Sequence, residues 1–139
     1  MKEIKLENNE ISLIEKYAFM NIEEFFYLDL SKNNLKTIEF ISHVKTLLMN
    51  YNQIDIIKND TFLNLNKLES LELGYNKISE IETYAFRGLN KLNELVLIGN
   101  RLNHFKHGTF DNLIELQFLN IQQNFIDKIY THFFKSNFN

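Results

Sequence analysis

The chain has 139 residues, 45% apolar and 24% charged, with no cysteine, no proline and a formal net charge of −3. At this length one domain, spanning residues 1–139, can bury about two-thirds of the surface its unfolded chain would expose. The missing cysteine excludes a disulfide scaffold, a thiolate metal site and a cysteine nucleophile together. Acids and bases are interspersed without a basic stripe, which argues against nucleic-acid binding. No apolar run reaches the length of a membrane span, and the opening MKEIKLENNE lacks the apolar segment of a signal peptide.

In chain order, six segments share an apolar-x-x-Asn-x-apolar ending: IKLENNEI, LDLSKNNL, LLMNYNQI, LELGYNKI, LVLIGNRL and LNIQQNFI. Their asparagines are Asn9, Asn33, Asn52, Asn76, Asn100 and Asn124, spaced 24, 19, 24, 24 and 24 residues apart. Apolar residues occupy four further columns in every unit, at five and three before the Asn and two and five after it. In the fourth unit these are Leu71, Leu73, Ile78 and Ile81. Ten residues past the Asn stand Phe19, Phe62, Phe86, Phe110 and Phe134. Self-similarity at a fixed period marks a repeat architecture. A strand such as Leu71-Glu72-Leu73 points its leucines one way and Glu72 the other, and only stacked neighbours satisfy its backbone and bury its face. Each Asn, able both to donate and to accept, can bond backbone groups freed where the chain turns.

This pattern resembles the leucine-rich repeat family in its 24-residue form, LxxLxLxxNxLxxLxxxxFxxLxx, matched from Ile4 to Phe134. The resemblance implies an α/β solenoid: a right-handed superhelical arc with a six-stranded parallel sheet on the concave side and irregular or short helical convex arcs. It also implies a binding role, since ligands of the family usually sit on the concave sheet. The family's common proline after the strand turn is replaced by Glu15, Glu39, Lys58, Glu82, Lys106 and Tyr130. The cysteine-rich caps of extracellular members are missing too.

Two features depart from the regular pattern. The unit over 34–52 is five residues short and carries His43 where the phenylalanine belongs, so Phe40 or Ile41 is expected to replace the missing ring. The shortening reads either as a deletion on the outer surface, where length changes are tolerated, or as a change of curvature that shapes a binding face. Neither end has a recognisable cap, although solenoids normally need them. A fragment of a longer protein, improvised polar caps, and end-to-end stacking are the competing readings; an open strand edge favours association. The compartment follows the same split, cytoplasmic for a complete chain and extracellular for a fragment of a receptor-like protein.

The residues alternating with the inward leucines are expected to face solvent. Leu48, Tyr51, Tyr75, Val96 and Ile98 form an apolar and aromatic patch, flanked by Glu72, Glu94, Lys77 and Arg101, with Phe118 and Phe125 contributed by the last unit. Tyrosine and arginine are favoured interface anchors, whereas ordinary strand preference alone also accounts for Val, Ile and Tyr. The partner so implied is a protein or peptide. No catalytic constellation stands out. His104 and His107 lack a third ligand, no Gly-x-Ser-x-Gly elbow or phosphate loop occurs, and Glu23-Glu24 reads as a solvated face. No cofactor or metal is implied. Asn59-Asp60-Thr61 is a glycosylation sequon that matters only in a secretory chain.

Overall fold

A computed structural model describes residues 2–19, 22 and 26–130. Phe134, the Glu23-Glu24 pair and the closing FFKSNFN lie outside the described residues.

Six three-residue strands form one parallel sheet: β1 Glu3–Lys5, β2 Tyr27–Asp29, β3 Thr46–Leu48, β5 Ser70–Glu72, β7 Glu94–Val96 and β8 Phe118–Asn120, ordered β1-β2-β3-β5-β7-β8. The register follows the repeat. Leu28 pairs with Leu47, Leu47 with Leu71, Leu71 with Leu95 and Leu95 with Leu119. These leucines point into the core, and all but the edge residue Leu119 are fully buried. Beside them run a second row, Leu30, Met49, Leu73 and Leu97, and a third, Leu35, Ile54, Ile78 and Leu102. In the end units the same columns, Ile4, Leu6, Leu119 and Ile121 among them, are only partly buried because each has a neighbour on one side.

The asparagine column forms the ladder that its chemistry suggests. The Asn76 amide donates to the carbonyls of Met49, one unit back, at 3.0 Å and of Leu73 in its own unit at 3.1 Å, and its oxygen accepts the Ile54 N–H at 3.1 Å. Asn33, Asn52, Asn100 and Asn124 repeat this geometry. Asn9 does not: it is exposed and, among the described residues, bonds only the Leu6 and Glu7 carbonyls of its own unit.

Among the described residues the convex arcs contain no helix. They are runs of tight turns, such as Leu65 N–H to Phe62 at 2.9 Å followed by Leu68 N–H to Leu65 at 3.0 Å. Two arcs also pair as a small second parallel sheet, β4 Ile56–Ile57 with β6 Glu80–Ile81. Beneath the arcs Phe62, Phe86 and Phe110 stack, with centroids 5.9 Å apart at each step and planes within 10° and 14°. In the short unit the inward residue is Ile41, 6% exposed, while Phe40 is 46% exposed and takes a left-handed backbone at φ 60°. The shortened arc also opens an outer cleft of about 260 Å³ lined by Tyr17, Phe40 and Thr61, away from the large sheet. Among the described residues no helix is long and apolar enough to cross a membrane.

Candidate functional site

Six strands about 4.8 Å apart give a concave floor roughly 25 Å across. Its central row is fixed by register: Asp29 beside Leu48, Leu48 beside Glu72, Glu72 beside Val96 and Val96 beside Asn120. Glu72 therefore does not flank the apolar residues; it stands between Leu48 and Val96. Its carboxylate accepts from the Asn50 amide, whose oxygen in turn accepts the Gly74 N–H at 2.7 Å. Ile98 lies against Gly74, where an added Cβ would meet the Ile98 side chain at 2.9 Å. Leu48, Glu72, Val96 and Ile98 thus form one continuous, half-buried surface.

Immediately before each ladder Asn the chain adopts a left-handed conformation. The positions are Asn8, Lys32, Tyr51, Tyr75, Gly99 and Gln123, with φ between 53° and 69°. The turn needs this backbone, which suits Gly and Asn and is uncommon for a bulky side chain. Tyr51 and Tyr75 nevertheless occupy it. Their rings stack at 4.6 Å with planes 8° apart, and they are 50% and 38% exposed. Tyr75 leans over the backbone of Gly99, where an added Cβ would come within 2.5 Å of its ring. The run Tyr, Tyr, Gly in this column was the sequence signal for that contact. It was legible only once the ring direction was known.

Arg101 is exposed on the rim beyond the tyrosines, in no ion pair among the described residues. Phe118 is 51% exposed on β8 and lies in the row of Glu94, at the opposite edge of the floor from the tyrosine column. The structure therefore groups the other predicted residues and leaves Phe118 apart. Sequence reasoning missed two contributors. Tyr27 sits on β2 with its hydroxyl 3.5 Å from Asp29, and burial followed by the charge of Asp29 raises the pKa of its phenol. Asn50 is the second, as the bridge between Glu72 and Gly74.

His104 is exposed with Nδ1 2.6 Å from the Asn103 side chain, and His107 is exposed as well. Among the described residues no group of three or more His, Asp or Glu could hold a metal ion.

A leucine-rich repeat family model matches residues 42–102. A leucine-rich repeat protein of Leptospira interrogans superposes with a TM-score of 0.78 at 26% identity, covering 91% of this chain and 32% of that one. A chain of the Toll–Spatzle complex of Drosophila superposes with a TM-score of 0.84 at 24% identity, covering 93% of this chain and 19% of that one, a likeness of fold alone. The chain thus spans a third or less of the length of these two structures. No curated protein matches it by sequence. The leucine-rich repeat fold is generally a scaffold for protein–protein interaction, and proteins of this kind are typically binding modules rather than enzymes. The repeat columns, the six-stranded parallel sheet and these matches agree: the chain has the leucine-rich repeat fold, and residues 42–102 match the family's own sequence model.

Proposed function

We propose that the protein is a non-enzymatic interaction module that takes a protein or peptide partner on its concave sheet, through Leu48, Tyr51, Glu72, Tyr75, Val96 and Ile98, with Arg101 and Phe118 at the margins. The observation that carries this reading is the stacked Tyr51–Tyr75 pair, two large half-exposed rings held on left-handed backbone. Asn8, Lys32 and Gln123 share that backbone at the same position of their units, so what sets this pair apart is the exposure and stacking of two large aromatic side chains, a favoured kind of interface anchor. The mechanism is rigid display. Buried leucine rows, the asparagine ladder and the phenylalanine stack fix the floor before binding, so little side-chain ordering remains to oppose association.

Affinity capture with immobilised protein, comparing the parent with Tyr51→Ala/Tyr75→Ala/Ile98→Asp, tests the reading. Partners retained by the parent and lost by the variant support it; partners retained by both refute it.

One observation favours a second reading, a self-associating chain or a stretch of a longer repeat array. Among the described residues Asn9 bonds only carbonyls of its own unit, and β1 and β8 are the edges of the sheet. Light scattering across a dilution series tests the self-associating form of this reading, because a monomer at every concentration removes it.

A further inference from the structure

The concave floor gathers carboxylates with almost no cations among them. Elsewhere three carboxylates pair with cations of a neighbouring repeat: Glu69 with Lys45 at 2.6 Å, Asp60 with Arg87 at 2.7 Å and Glu80 with Lys106 at 2.7 Å. The floor rows carry five carboxylates, Glu3, Glu7, Asp29, Glu72 and Glu94, against the single cation Lys5. Among the described residues Lys5 pairs with Glu3, at 3.6 Å, and lies over the Tyr27 ring. The other four have no cationic partner among the described residues.

Three of these four are held by neutral donors. Asp29 accepts the Ser31 N–H at 2.9 Å, Glu72 the Asn50 amide, and Glu94 the Ser70 hydroxyl at 3.1 Å. Such bonds orient a carboxylate and leave its charge in place. The whole chain is only −3, so the floor holds its entire acidic surplus and the remainder is slightly positive. The field extends across strands, since Glu7 and Glu72, after burial and Asp29, also act to raise the pKa of Tyr27. Lys32, Lys77 and Arg101 are confined to the rim beside the tyrosines.

We propose that the partner is a basic, arginine-bearing extended segment of a protein, crossing the strands with guanidinium groups on Asp29 and Glu72 and its apolar side chains on Leu48 and Val96. This rests on the concave-face reading and specifies its ligand. Asp29 and Glu72 lie in one row with Leu48 between them, two strand spacings or roughly 10 Å apart. An extended chain of polyproline-II form advances roughly 3.1 Å per residue and brings every third side chain to the same face, so cations three residues apart meet both. Arginine fits better than lysine, because its planar fork bonds a carboxylate through two N–H groups and stacks on tyrosine.

The test is fluorescence anisotropy on the full chain with a labelled peptide, Arg-Ala-Leu-Arg-Ala-Leu-Arg, beside its counterpart bearing glutamate at the arginine positions. The arginine peptide should bind and the glutamate peptide should not. Asp29→Asn/Glu72→Gln, which keeps the oxygens that accept from Ser31 and Asn50, should weaken binding about tenfold. It should also flatten the loss of affinity between about 50 mM and about 300 mM salt. Glu15→Gln/Glu115→Gln makes the same charge change on the arcs and should leave affinity within about twofold. Equal losses from the two pairs, or no preference for the arginine peptide, overturn the inference. Selection from an unbiased peptide library tells this failure from failure of the underlying reading. Non-basic peptides that depend on Tyr51 and Tyr75 overturn only the basic partner; peptides indifferent to every floor substitution overturn both.

Discussion

Between Asn52 and Asn124 the repeat runs at a constant 24 residues, while the unit before Asn52 is five residues shorter, and both feed the same sheet. In the regular stretch the arcs carry stacked phenylalanines. In the short unit the ring is gone, Ile41 turns inward, Phe40 is expelled and a cleft opens beside it. The inner side shows no trace of the change. Leu47 on β3 keeps register with Leu28 and Leu71, and Asn52 makes the same ladder bonds as Asn76. Strand and ladder are thus set by contacts between corresponding positions of successive units, and the arc only has to return the chain. Changes on the outside are insulated from the floor.

Phe86 is fully buried between two rings, so Phe86→Ala should lower stability in urea unfolding by about 3–5 kcal/mol. Ile41 lines the outer cleft, and Ile41→Ala should lose less, about 2 kcal/mol. Equal losses would mean that the short arc is packed as tightly as the others. Next come the ladder residues. Asn52→Ala and Asn76→Ala should each lose about 1–3 kcal/mol by leaving buried backbone groups unpaired, and should agree with one another. A clear difference would show that the shortened unit disturbs the ladder after all.

Gly99→Ala should lose about 1 kcal/mol, since the new Cβ takes a left-handed backbone. It should also push Tyr75 off the stack, which near-ultraviolet circular dichroism of the tyrosines would register as a weakened band. The smallest effect belongs to the exposed Glu80–Lys106 pair. Its hydrogen bond and the charge of Lys106 hold the Glu80 carboxyl below its ordinary value of 4.5. The folded state therefore gains from this group above that value and loses the gain as pH falls through the lowered one. Melting temperatures of Glu80→Gln should fall slightly below the parent at neutral pH and converge with it in acid.

The inward rows and the asparagine ladder were legible in the sequence because a fixed period forces equivalent residues into equivalent contacts. Position alone was enough to assign Leu71 or Asn76. The short unit was legible only as a choice between Phe40 and Ile41, since the decision rests on a left-handed residue that period cannot reveal. The small sheet of β4 and β6 was not foreseen, because the column that holds Ile57 and Ile81 shows which residues are buried and not that two arcs pair there. On the floor, the rows of Leu48, Glu72 and Val96 followed from register. The Tyr75 contact with Gly99 and the neutral partners of the carboxylates did not, since they depend on side-chain direction.

The claim that the concave face is a preformed binding surface is tested most directly by measuring stability and partner capture on one protein, Tyr51→Ala/Tyr75→Ala. Both rings are half-exposed and outside the core. The account predicts a melting temperature within about 3 °C of the parent together with loss of the captured partner. A variant that is equally stable and still captures the partner at the parental level would contradict it.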